Sequence, residues 1–380
     1  MTIKEFAYST QQHLQATTKG SFKRAHIYEL LAASFGFNSY ASLCANSVFS
    51  DVSMPSQLPE KHRSLVRNRC VEIGYPADMA DAVSLALPAY LSEREFGVFG
   101  IDGLVALLRT EGNGDGEVPD DDVGDESDDW NEGAESQHEL VDAMVASPIL
   151  LEGLENAASK GNALAHYALA LIQRVSQQVD EPESSSEHWY LQAKAGRILT
   201  GIEREWADAY ATHVATSQKY VHHLRAAAAL GEPNALLDLA DQFDDPTFFE
   251  LGIDRVISNP ASVAEIAERL GRPEDAKHWL TVAAESGEIE AMRQLIDGYD
   301  QSDLNRCWIW VYLAKLLGSD LTQDAHYAIN EDETPYDDDV GGPAFVAGYD
   351  GIELESLSTA QDVAAKQAAQ KLYARIKEGY

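Results

Sequence analysis

The sequence has little cysteine: Cys44, Cys70 and Cys307 are the only three, and they lie far apart. That is too few for a disulfide framework, and none has a neighbour at zinc-ligand spacing, so each reads as a small buried apolar residue. Long hydrophobic runs are also missing. The longest, Trp308 to Leu317, is short for a membrane span and contains Lys315. The opening MTIKEFAYSTQQHL lacks the apolar core of a secretory signal. These absences predict a soluble cytoplasmic protein with no membrane partner.

Positive charge is scarce too, with 28 Lys and Arg against 63 Asp and Glu and a net charge of -35. The deficit is local. Residues 1–109 carry ten charges of each sign, residues 110–159 carry sixteen acidic side chains with no Lys or Arg, and residues 331–355 carry nine with none. Such a field repels phosphate backbones, which disfavours nucleic acid, and speeds encounters with basic partners. Motifs for chemistry are missing as well. There is no glycine-rich phosphate loop, nucleophile elbow or zinc signature, so no catalytic residue, cofactor site or metal ligand is expected.

What is present is enough apolar material to fold, 45% of residues including 9% aromatics over a length that exceeds one typical domain. Ser21 can cap a helix through Phe22, Ile27, Leu30, Leu31 and Phe35, with Gly36 ending it and a short helix starting near Ser39. Lys61 to Arg109 reads as further helices, with Pro76 and Pro88 at breaks or first turns. EGNGDGEVPDDDVGDESDDWNEGAESQ has too few apolar side chains to offset the entropy of ordering it and reads as a linker. The expected organisation is a helical domain over 1–109, an acidic linker over 110–137, helical repeats over 138–325, and an acidic loop with a C-terminal capping helix over 326–380.

Self-similarity decides the expected fold. AASKGNALAHYALA, AAALGEPNALLDLA and AAESGEIEAMRQLI align on Gly161, Gly231 and Gly287. In each, two alanines precede the glycine, an alanine follows by four (Ala165, Ala235, Ala291) and a leucine by eight (Leu169, Leu239, Leu295). Paired alanines let helices approach, glycine turns the chain, and alanine then leucine at i and i+4 face a partner helix. One unit is therefore one helical hairpin, and stacked hairpins bury a continuous core.

HWLTVAAESGEIEAMRQLIDGYD, His278 to Asp300, resembles the Sel-one-like repeat, with Trp279, Ala283, Ala284 and Gly287 in the places of that pattern. The Gly161 unit matches its second half through Asn162, Ala165, Tyr167 and Leu169, and WIWVYLAKLLGSD is a partial unit ending at Gly318. The resemblance implies an all-α fold, a tetratricopeptide-like α-solenoid of antiparallel helix pairs with an added N-terminal helical domain. It covers about half the chain. The glycine spacing is irregular, so the gap after Gly161 must hold an extra helical pair or a long helix from His188 to Leu230, and the gap after Gly231 an insertion that is helical in its latter part.

The function this implies is a protein–protein interaction scaffold or adaptor for a protein or peptide partner of basic character. Trp279, Trp308, Trp310, Tyr167 and Tyr299 are the candidate partner-binding aromatics, and Asp337, Asp338 and Asp339 the candidate acidic contacts. Those three aspartates could also hold a hard cation, as could Asn113, Asp115 and Asp122, but an ordered acidic loop and a plain linker are the first readings. The alternative is a nucleic-acid-related regulator acting through the hairpin LLAASFGFNSYASLCAN or through acidic DNA mimicry. That hairpin offers no Lys or Arg after Ser39 to reach phosphates. His222 and His223, being adjacent, point to different sides of a helix.

Overall fold

The computed structural model describes residues 1–52, 59–112, 139–179, 185–330, 334, 336 and 344–378. The chain is mostly helical and divides into two compact units, Met1–Leu239 and Ala240–Tyr380. The acidic linker expected over 110–137 lies outside the described residues from 113 onward, and so do its candidate cation ligands Asn113, Asp115 and Asp122.

The first unit begins with α1 (Ile3–Thr18), α2 (Arg24–Ser34) and α3 (Tyr40–Asn46). Thr2 and Glu5 close a capping box at the start of α1. Lys23, with no side-chain bond, occupies the N-cap expected of Ser21, whereas Ser39 does cap α3 by accepting from the Ser42 amide at 3.0 Å. After β1 (Ser47–Ser50) come α4 (Arg63–Glu72), α5 (Ala77–Glu93), β2 (Gly97–Gly100) and α6 (Ile101–Gly112). Pro76 is the N-cap of α5, but Pro88 lies buried inside that helix instead of breaking it. The unit continues through α7 (139–145), α8 (Pro148–Ser159), α9 (Ala163–Val179), α10 (Ser186–Lys194) and α11 (Ile202–Ala229), and α12 (Pro233–Phe243) runs on into the second unit. The gap after Gly161 thus holds the pair α10 and α11, and the long helix expected from His188 to Leu230 is broken between Lys194 and Ile202.

Strands are the departure from an all-α fold. β1 and β2 pair antiparallel with Val48 opposite Phe99 and Phe49 opposite Val98. Because side chains alternate across a ribbon, the two pairs face opposite ways. Val48 and Phe99 join the core of Leu104, Leu108, Leu154, Tyr167 and Leu224, while Phe49 and Val98 join that of Phe6, Leu30, Leu87 and Leu91. The ribbon ties together the two cores of this unit. Gly153 on α8 lies against it, since an added Cβ would stand 3.0 Å from Val48 Cβ. The segment 1–109 consequently does not close as a separate domain: Ile101, Leu104 and Leu108 of α6 pack with α9.

One turn recurs through both units. The amide following a glycine donates to an alanine carbonyl four residues before that glycine: Asn162 to Ala157 at 3.2 Å, Glu232 to Ala227 at 3.1 Å, Glu288 to Ala283 at 3.1 Å and Ser319 to Ala314 at 3.0 Å. These alanines are buried, and the glycines between have positive φ. This is the six-to-one bond of a Schellman turn. Two further turns share it, Phe37 to Ala32 and Arg272 to Ala267. The second lies in the expected insertion, where α14 (Pro260–Arg269) packs on α15 (Pro273–Ser286).

The second unit also contains α13 (Thr247–Glu250), α16 (Ile289–Gln294) continuing into a π-helical Leu295–Tyr299, and α17 (Leu304–Leu317). A second ribbon follows, β3 (Ala325–Ile329) with β4 (Phe345–Tyr349), and then α18 (Thr359–Glu378). A helix stands where the C-terminal one was expected: α18 buries Ala365 and Ala369 and packs on α17.

Candidate partner-binding cleft

Burial corrects three of the candidate partner-binding residues. Tyr167, Trp279 and Trp310 have 0%, 5% and 2% of their surface exposed, so their rings are core and offer a partner no anchor. Trp308 is half-buried and donates to the Glu355 carbonyl at 2.9 Å, while Tyr299 donates to Glu268 Oε1 at 2.5 Å. Asp337, Asp338 and Asp339 lie outside the described residues.

Two buried carboxylates explain where the aromatics went. In the first unit Tyr167 donates to Asp238 Oδ2 at 2.8 Å, and Arg109 Nη1 donates to the Tyr167 hydroxyl and to Asp238 Oδ1 at 3.3 Å. Burial, the largest influence, raises the Asp238 carboxyl above its ordinary value against the pull of Arg109 and Arg174. In the second unit Asp300, 1% exposed, accepts from Trp310 Nε1 at 3.0 Å and forms ion pairs with Arg306 Nε at 2.9 Å and Lys277 Nζ at 2.8 Å. Both are interior pins that join three elements each, and they give Tyr167 and Trp310 polar partners inside the core.

Histidines form a third group. His166 Nδ1 and His223 Nδ1 lie 3.0 Å apart, with His222 exposed beside them. Burial, then the neighbouring imidazoles and Lys219, brings His223 down to about 4, and burial followed by His222 lowers His166. Among the described residues, no three His, Cys, Asp or Glu gather as a metal-binding group.

A cleft of about 570 Å³ opens on the surface of the second unit. Its walls come from the π-helical turn (Ile296 and Asp297, with Arg293 before it and Gln301 after it) and from residues 349–354, which begin at the last residue of β4. Two glycines seat that second wall. A Cβ on Gly348 would lie 1.8 Å from the Ala325 carbonyl oxygen, and one on Gly351 2.4 Å from that of Thr322, so only glycine lets 348–351 lie on 322–325. The Ile352 amide then donates to the Leu321 carbonyl at 2.8 Å and the Gly351 amide to Asp324 Oδ1 at 2.8 Å.

Arg293, 8% exposed, crosses the base of this wall. Its guanidinium lies 4.6 Å from the Tyr349 ring centroid and donates to the Asp350 carbonyl at 3.3 Å, with Glu290 at 4.0 Å. Asp350 in turn accepts from His326 Nε2 at 3.1 Å. Tyr349 also belongs to the ribbon face that carries Tyr327 and Phe345, which are 60% and 47% exposed. None of these residues was singled out from sequence, although the sharp GYDG run between two apolar stretches was the available signal. Arg293 reads locally as an ordinary charge on a helix.

No family model, curated protein or solved structure matches this chain. Among the described residues no helix is long and apolar enough to cross a membrane.

Proposed function

We propose that this chain is a protein–protein interaction scaffold of the Sel-one-like helical-repeat kind, whose hairpins stack into a solenoid and present the cleft at Arg293 and Tyr349 to a protein partner. The observation carrying this reading is the repeated Schellman turn, in which a buried alanine and a positive-φ glycine close successive helices at Gly161, Gly231, Gly271, Gly287 and Gly318. A chain built from one repeated hairpin has surface to spare for binding, because each hairpin contacts mainly its neighbours. Its buried titratable groups act as pins, each carboxylate held by cations and ring donors in the core.

Affinity purification of the tagged full chain, followed by mass spectrometry of retained proteins at low and moderate salt, tests this. The expected result is retention of one or a few proteins at both salt levels, reduced by Tyr349→Ala. Retention of nucleic acid in place of protein, or of nothing at either salt, would overturn it.

A further inference from the structure

The scaffold reading leaves the chemistry of the partner open, and the cleft narrows it. Three carboxylate residues, Asp297, Asp350 and Glu353, line it against the single guanidinium of Arg293. That guanidinium is already engaged by the Tyr349 ring, the Asp350 carbonyl and Glu290. Even with Arg293 counted in full, three carboxylates against one guanidinium leave the lining net negative, with the Asp350 carboxylate also accepting from His326 Nε2 at 3.1 Å. Ile296, Ile352 and Leu354 add apolar wall, and Gln301 lines it as well. Carboxylates beside hydrocarbon suit a side chain with a long methylene stem and a cationic head, since both parts lose water onto complementary surface. A volume of about 570 Å³ is in the range of pockets that enclose such groups.

The ribbon beside the cleft extends the surface. Ala325, Tyr327 and Ile329 share one face with Phe345, Ala347 and Tyr349, and Tyr349 is common to this face and to the cavity. Val346, 77% exposed, lies on the opposite face. An aromatic strip next to an acidic pocket fits an extended segment that places a basic residue in the pocket and an apolar one on the strip.

We propose that the cleft binds a linear segment of a partner protein through one lysine or arginine side chain, which enters between Asp297, Asp350 and Glu353 while a flanking apolar residue packs on Tyr349 and Phe345. This rests on the scaffold reading and adds the ligand class to it.

The test is selection of a phage-displayed library of random linear peptides on the immobilised full chain, followed by fluorescence anisotropy with the enriched peptides. Binding is compared for the wild type, the triple variant Asp297→Asn, Asp350→Asn, Glu353→Gln, and a distant control, Glu205→Gln, each checked for folding by circular dichroism. The expected result is enrichment of peptides with a basic residue next to an apolar one, weakened about tenfold or more by the triple variant and less than about twofold by the control. Replacing the basic residue in the peptide should weaken binding to the wild type by a similar factor. Enrichment of peptides without a basic residue would overturn this inference and leave the scaffold reading standing. Enrichment of basic peptides that bind the triple variant equally well would place the contact elsewhere on the acidic surface and also overturn it. No enrichment at low or moderate salt would count against both.

Discussion

At the scale of single residues, the informative groups are polar ones in the interior. Arg109, Tyr167 and Asp238 come from three helices far apart in sequence and meet with 7%, 0% and 7% exposure. Removing one partner of a buried charge pair leaves the other unpaired, whereas removing a hydroxyl alone leaves the pair in place. Arg109→Met should cost about 3–5 kcal/mol and Tyr167→Phe about 1–3 kcal/mol in urea unfolding. A smaller loss for Arg109→Met than for Tyr167→Phe would show that Asp238 finds another partner.

The imidazole pair predicts a pH dependence. His223 titrates near 4 in the folded chain, below the value of about 6.5 for an exposed imidazole. The unfolded state therefore binds protons that the native state refuses as pH falls from about 6.5 toward 4, and this contribution to stability is complete above that window and lost within it. The group is partly solvated, so the sign is the prediction. Subtracting the melting temperature of His223→Gln from that of the wild type at each pH should give a difference that declines between pH 6.5 and 4. A flat difference would mean that the pair separates without cost. His166, His222 and Lys219 are the charged neighbours to hold constant.

At the scale of elements, the hairpin turn is the repeated device. Gly287 has φ 108, and an added Cβ would meet Ile376 at 3.7 Å and Leu317 at 3.8 Å, which is ordinary contact. Space is therefore available, and the penalty of Gly287→Ala comes from the left-handed backbone, about 1–2 kcal/mol by thermal or urea melts. A neutral result would show that the turn switches to another closure. These turns were legible because all their hydrogen bonds lie within six residues. The turn at Gly271 carries the same bond but was read as part of an insertion, since Asp275 stands where the other units have alanine. β1 and β2 were not legible. With all four residues of β1 buried and three of the four in β2, SVFS and GVFG show no alternation between apolar and polar, the usual mark of a strand with one wet face.

At the scale of the whole chain, charge dominates. A net charge of -35 opposes compaction through self-repulsion, which salt screens over about 8–10 Å near physiological ionic strength. Raising sodium chloride from low to moderate levels should therefore raise the melting temperature by a few degrees, on the order of 1 kcal/mol of stability. Unchanged or lower values would indicate that local ion pairs outweigh the general repulsion. The same charge explains why acidic composition pointed to a basic partner without locating the contact. Sixteen of the 63 acidic residues lie in residues 110–159 and nine in residues 331–355, and of these only Asp350 and Glu353 line the cleft, so composition favours a basic partner without placing the contact.

The sequence by itself determined the turns at Gly161, Gly231, Gly287 and Gly318 and the helices that they close, because a buried alanine and a positive-φ glycine act through bonds to residues a few places away. Tertiary structure alone decided the rest. The pairing of 47–50 with 97–100, the burial of Tyr167, Trp279 and Trp310, and the meeting of Arg293 with Tyr349 all join residues distant in sequence. An aromatic ring has the same letters whether it lines a surface or fills a core. Which of these it does depends on the elements that close around it, and those contacts form only when the chain has folded.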